Sequence, residues 1–346
     1  MPFLALVLQV ASIAGGLLIA WTAIEVFWTA MGKGGGPLTM RLSSIGWKLA
    51  LLTGRRLPRP FLGAAGVALV LADVMGWIAM LWIGWSLVFM GAPEAVVRAT
   101  SGEIATAAER VYFAGYTLFT LGLGDFRPEG TLWRWLASLA SLNGLFLITF
   151  SVTYLIPIVQ ANVQRRQFAT LISLLGATPQ LLISRMWNGS DLEDLEKHLV
   201  SLTSDLAQIE QQHIAYPMLH YFAANRPGAA FSLGLANLDE ALTIVRFGIR
   251  GHAISRGVLE PAHDVIARLL ATLSGAFITP ADEQPAPPPL ESLRNEGIPV
   301  VGDAEFLSRI EELRDRRRLL RGLVENDGWT WEDLMSEGPE RQLPVR

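Results

Sequence analysis

The chain has 346 residues, 51% hydrophobic and 17% charged, with a formal net charge of −4. That charge, without any dense Lys/Arg tract, gives no footing for a nucleic-acid partner. The absence of cysteine excludes disulfides, thiolate metal sites and cysteine catalysis.

The length leaves room for a membrane part and a separate soluble part. Mean hydropathy is +0.35, but residues before 160 are mostly apolar and charges become frequent after it. Residues 3–29 form a long apolar run without the basic start of a signal peptide. About 20 apolar residues span a bilayer, so this run reads as a transmembrane helix. Glu25 stands near its end, within reach of the interface. Residues 31–60 carry Lys33, Arg41, Lys48, Arg55, Arg56 and Arg59 and no acid. The positive-inside rule makes this loop cytoplasmic and puts the N-terminus outside. Its glycines lack the spacing of a phosphate loop. Residues 41–54 have a weak pattern of a helix lying on the membrane surface.

Residues 62–90 form a second span. Asp73 is an acid at membrane depth, and two readings stay open for it: a functional role, or a hydrogen bond to a neighbouring helix. Residues 91–110 are a polar external segment, where Thr100 with Glu103 predicts a capping box and a helix start. That helix runs through Tyr112, Phe113 and Tyr116, and its C-terminal dipole favours a cation beyond it. Next comes Thr120-Leu121-Gly122-Leu123-Gly124-Asp125. Two glycines alternating with leucines suit a backbone that turns its carbonyls inward, because Gly tolerates positive φ. Carbonyls lined along a narrow path replace the water shell of a cation. Residues 131–160 are a third span, closed by Arg165 and Arg166 on the inner side.

The sequence TLGLGD resembles the selectivity filter of the potassium-channel pore-loop family, usually T-V-G-Y-G-D. The resemblance covers roughly residues 62–160. It implies potassium as the permeant ion, held by the carbonyls of Thr120, Leu121, Gly122 and Leu123 and the Thr120 hydroxyl, with Asp125 at the outer mouth. It places Tyr116, Thr117 and Phe119 behind the filter as its support. It also implies a hinge at Gly144 and a pore-lining face of Leu145, Ile148, Val152 and Ile156. One filter loop per chain implies a homotetramer. The departures are Leu121 and Leu123 at the usual valine and tyrosine positions, and Phe119 in place of a common threonine. Tyr116 stands where some members have an acid, and a hydrogen bond from Tyr116 to Asp125 is the expectation. Pro157 either bends the third span or marks its end.

The remainder is helical in pattern. Thr178-Pro179 and Ser190 with Glu193 are helix starts. Leu192, Leu195, Leu199, Leu202, Leu206 and Ile209 make a stripe that packs within a bundle or against another subunit. Helices are expected over about 229–249, 259–276 and 303–325, with a Pro-rich linker at 279–290. All five histidines, at 198, 213, 220, 252 and 263, fall here. Core or surface placement is the ordinary reading, and His213 with His220 is the candidate pH sensor.

The expected whole is an all-α membrane protein with three transmembrane helices, one re-entrant pore loop and a helical cytoplasmic domain. Its segments are 1–30, 31–61, 62–160, 161–278, 279–302 and 303–346. It sits in the plasma or inner membrane, N-terminus outside, as a potassium-selective tetramer. The alternatives are a weakly selective cation channel and a non-conducting sensor or scaffold. No nucleophile–base pair or metal-ligand cluster points to an enzyme. No cofactor is expected, and a ligand or partner of the cytoplasmic part is left open.

Overall fold

The structure, a computed structural model, describes residues 2–31, 36–54, 60–251, 253–274 and 278–336. It divides into two compact units, residues 1–45 with 68–157, and 46–67 with 158–346. The division falls inside continuous helices.

In the first unit, α1 (Pro2–Met31), α3 (Pro60–Phe89) and α5 (Gly130–Leu175) are long and apolar enough to cross a membrane. At about 1.5 Å rise per residue each exceeds the ~30 Å hydrocarbon thickness. Large apolar side chains such as Ile13, Leu17, Trp21 and Phe27 are exposed along α1, as a lipid-facing helix requires. α1 packs on α3 through Gly15 and Gly84, where a Cβ at Gly15 would run into the Gly84 carbonyl. Small residues permit this approach when apolar burial gives helices no reason to associate in lipid.

α2 (Pro37–Gly54) is longer than the surface helix expected at 41–54. Its first N–H groups have no partner within the helix. Glu25 supplies one: its Oε1 accepts from the amides of Leu38 (2.9 Å) and Thr39 (2.8 Å). Glu25 is therefore a buried cap rather than an interfacial side chain. Asp73 accepts from the Ser43 hydroxyl of α2 at 3.0 Å, the hydrogen-bond reading of that acid.

α5 continues as helix beyond Pro157, so this proline does not end it. α6 (Pro179–Met186) starts as expected: Thr178 is the N-cap and accepts from Leu181, with Pro179 at the first position. α7 (Glu193–Ala215) is not capped by Ser190. Asn188 and Asp191 build the turn instead, with Asp191 accepting from the Glu193 amide at 3.0 Å. The leucine stripe is fully buried and packs within this chain, α7 lying along α9 (Arg256–Ser274).

Every residue of α8 (Phe231–Thr243) is buried, so its polar groups need partners. Asn237 donates to the Gly176 carbonyl, Asp239 pairs with Arg316, and Glu240 takes the Arg317 guanidinium at 2.8 Å. The expected charged helix at 303–325 is two helices, α11 (Asp303–Glu311) and α12 (Arg314–Asn326), preceded by the short α10 (Glu291–Asn295) and followed by α13 (Trp331–Met335). Arg316, Arg317 and Arg318 of α12 turn inward. Arg317 also donates to the carbonyls of Pro285 and Ala286, and Arg318 to that of Ala281. The Pro-rich stretch is thus a strap fastened to α12, not a free linker.

Candidate functional site

The segment before Thr120–Asp125 begins with a short strand, β1 (Val96–Arg98), which pairs antiparallel with β2 (Phe126–Pro128) just after it. The ladder extends through Ala99 N–H to Asp125 O (2.9 Å) and Glu129 N–H to Ala95 O (3.1 Å). The chain on either side of the stretch from Ala99 to Asp125 is thereby tied together. Arg110 holds the approach: its buried guanidinium donates to the carbonyls of Ala105, Ala92 and Pro93 at 3.0, 3.1 and 2.7 Å.

α4 (Ala107–Leu118) starts six residues later than expected. Its capping box is Thr106 with Glu109, not Thr100 with Glu103. The Thr106 amide, with Arg98 beside it, holds the Glu109 carboxyl below the usual range. At its far end the helix closes in a Schellman motif. Leu121 N–H reaches Tyr116 O (2.8 Å) and Thr120 N–H reaches Thr117 O (3.1 Å). The position that this motif normally gives to glycine is Thr120, at φ +58°. Gly122 and Gly124 follow at +57° and +80°, while Leu121 and Leu123 keep negative φ. Alternation of this kind sorts N–H groups to one side of the chain and leaves successive carbonyls on the other.

The support behind this run is aromatic. Tyr116 donates to the Phe126 carbonyl at 2.7 Å rather than to Asp125. It is Tyr112 whose hydroxyl meets the Asp125 carboxylate. Phe119 stands edge-on to Trp82, ring centroids 6.3 Å apart, and the Trp82 indole donates to Val111 O at 2.9 Å. Thr117 contributes its carbonyl to the helix end. Gly144 of α5 lies against the backbone carbonyl of Leu118, where a Cβ would overlap it. The glycine therefore seats α5 on the end of α4.

Thr120 to Asp125 are exposed in the single chain, Leu121 by 64% and Leu123 by 58%. Leu145, Ile148, Val152 and Ile156 are exposed along one face of α5, while Leu147 and Ser151 on another are buried.

His213 and His220 are buried beside Arg165. Burial first, and the Arg165 charge second, push both imidazoles down to about 3. His213 Nδ1 lies 2.9 Å from Ile209 O and His220 Nε2 2.6 Å from the Asn326 amide. His263 is buried as well and pushed down to about 4. These are core histidines, and His213 and His220 stay neutral across the physiological range. His252 lies outside the described residues. The buried Arg110 and the β1–β2 ladder had no signal in the sequence beyond a lone Arg and the pair Val96-Val97.

A sequence profile of the family described as "Ion channel" matches residues 68–161. The chain is 34% identical over 323 residues to the Bacillus subtilis (strain 168) "Uncharacterized membrane protein YdjJ", covering 92% of this chain and 94% of that protein. No solved structure matches the chain.

Proposed function

The chain belongs to the pore-loop ion-channel family, and on that premise we propose that four copies form a potassium-selective pore in the cell membrane. The observation that carries this reading is the positive φ at Thr120, Gly122 and Gly124. It supports a file of carbonyls from Thr120, Leu121, Gly122 and Leu123 facing one side. Four such files around an axis replace the hydration shell of dehydrated K+. One chain supplies a quarter of that cage, which accounts for a filter segment exposed in isolation. The Thr120 hydroxyl completes the inner end, and Asp125 sets negative charge at the outer mouth. The C-terminus of α4 adds roughly half a negative charge behind the filter.

Loss of the usual tyrosine hydroxyl at Leu123 is offset by two other braces: the Tyr116–Phe126 hydrogen bond and the β1–β2 ladder. This supports selectivity over a weakly selective pore. The apolar side chain of Leu123 favours the second reading, because it ties the filter to nothing polar. The lining face is Leu145, Ile148, Val152 and Ile156. Bending of α5 is supported at Pro157, where the ring removes a helix hydrogen bond, whereas Gly144 has a packing reason of its own. The basic segment 31–61 and the Arg165–Arg166 pair support an outside N-terminus and a cytoplasmic C-terminal unit.

The test is ion flux from liposomes under potassium and sodium gradients, with Gly122→Asp as control. Potassium flux without sodium flux, lost in the variant, is expected. Equal flux of both ions gives the weakly selective pore, and absence of flux over a range of pH and voltage, even after removal of residues beyond 175, leaves a scaffold. Cross-linking in membranes is expected to stop at four chains; a limit of two would sink the fourfold cage.

A further inference from the structure

The C-terminal unit is acidic: from residue 158 on, 25 Asp and Glu stand against 18 Lys and Arg. One cavity runs against that balance. It has a volume of ≈ 630 Å³ and is lined by Arg246, Arg250, Arg256 and Arg309, with only Glu260 and Glu305 as acids. That size lies within the range of small-molecule sites, about 300–1,000 Å³. Arg246 pairs with Glu260 at 3.2 Å, and Arg309 meets Glu312 only at 3.8 Å on the surface. Among the described residues Arg250 and Arg256 have no acidic partner.

Three local features converge on the cavity. α8 ends in a π-helical turn, Ile244–Gly248, which presents Arg246 and Phe247 together, the guanidinium 5.3 Å from the ring centroid. Such turns recur at functional sites because they cost helix hydrogen bonding without a structural gain. The opposite wall is the first turn of α9. Ser255, just before it, donates its hydroxyl to Glu196 instead of spending it on the helix. The Glu196 carboxylate also accepts from the Ser255 amide at 3.2 Å and so meets the positive end of the helix, while the exposed first turn carries Arg256 to the cavity. The floor is pinned by a bridge between Ile249 and Val300, with Arg250 N–H to Pro299 O at 2.7 Å. Ile249 and Arg250 are therefore fixed by backbone pairing.

We propose that this cavity binds a phosphate ester with an apolar or aromatic body, of the size of a nucleoside phosphate. Guanidinium forks match phosphate oxygens in bidentate fashion. The volume exceeds what inorganic phosphate fills. Phe247, Ile254 and Leu259 supply apolar wall for the rest of the molecule. The cavity is connected to the channel helix by α8: its last turn lines the site, and its first half packs on α5, Phe231 against Phe168 (5.7 Å) and Gly234 against Ala169. Occupancy at one end of this buried helix biases the other. The binding claim stands without the channel reading.

The experiment is calorimetric titration of the full-length protein in detergent with ADP and with inorganic phosphate, and a third arm in nanodiscs with or without phosphatidylglycerol. ADP is expected to bind, and inorganic phosphate at least tenfold more weakly. Arg250→Gln with Arg256→Gln, both exposed positions, is expected to weaken ADP at least tenfold with an unchanged thermal midpoint. Binding of phosphatidylglycerol in preference to ADP, lost in the same variant, supports the same phosphate-ester site with a lipid headgroup as its source. Failure of both ADP and phosphatidylglycerol to bind, or binding undiminished in the variant, overturns the proposal. Flux with and without ADP is a separate readout, so loss of the channel reading leaves the calorimetry intact.

Discussion

Thr120 sits at φ +58°, a region that a β-branched side chain enters only under constraint. Strain of this kind is worth about 1–3 kcal/mol and persists only where the surroundings enforce it. Here the Schellman motif and the β1–β2 ladder enforce it from both sides. Glycine would take the position freely, so what threonine adds there is the hydroxyl proposed to complete the inner end of the filter. Thr120→Gly is expected to raise the thermal midpoint of the protein while lowering the ratio of potassium to sodium flux. A midpoint that stays put would sink the strain argument, and selectivity that survives would remove the hydroxyl from the proposed filter. The two glycines were readable from the sequence because only their positive φ makes sense of a G-x-G in a loop. Thr120 was readable only by resemblance, since no propensity argument puts a β-branched residue there. The partner of Tyr116 was misjudged by one residue: the carbonyl of Phe126 competes with the Asp125 carboxylate and wins, because the β2 strand holds it in place.

Between elements, Gly144 decides how α5 meets α4. A hinge glycine and a packing glycine respond differently to one methyl group. In a helix interior Ala is about 1 kcal/mol better than Gly, so at a pure hinge Gly144→Ala stabilises the protein and slows opening. Here the methyl would fall on the Leu118 carbonyl, and overpacking costs about 1–3 kcal/mol. Gly144→Ala is therefore expected to lower the thermal midpoint and abolish flux by displacing the filter end of α4. A raised midpoint with residual flux would restore the hinge. The same scale shows why helix starts are hard to place from sequence. Thr100 with Glu103 and Thr106 with Glu109 are equally good capping boxes on paper. The choice is made by Arg98 and Ala99, which are drawn into the ladder with β2 and leave no room for a helix there. Strands of three residues carry too short an alternation to be seen in advance. The leucine stripe of α7 was visible because six apolar positions at 3-4 spacing outlast any local ambiguity, and what it packs against was not.

At the scale of the whole chain, the split between an apolar first half and a charged second half was visible in composition. The unity of the second half was not, because proline content reads as linker until Arg317 of α12 is seen to grip the carbonyls of Pro285 and Ala286. That compactness sets the response to acid. His213 and His220 lie in its interior with imidazoles held down to about 3, against 6.5 when free. Between those values the unfolded chain binds protons that the folded one refuses. Their contribution to stability is complete above pH 6.5 and falls as the pH drops toward 3, at about 1.4 kcal/mol per pH unit for each histidine. Glu240, raised to about 7 by burial against the pull of Arg317, tilts the other way, so the histidine share is read as a difference between proteins. Gln at both positions keeps a neutral donor for the Ile209 carbonyl and removes the titration. The thermal midpoint of the unaltered protein is expected to drop more between pH 7 and pH 5 than that of the His213→Gln, His220→Gln variant. Potassium flux is expected to depend on pH equally in both, because imidazoles that stay neutral cannot report pH to the pore. Parallel midpoint curves would show that the two rings titrate normally, and a flattened flux response in the variant would return them to the gate.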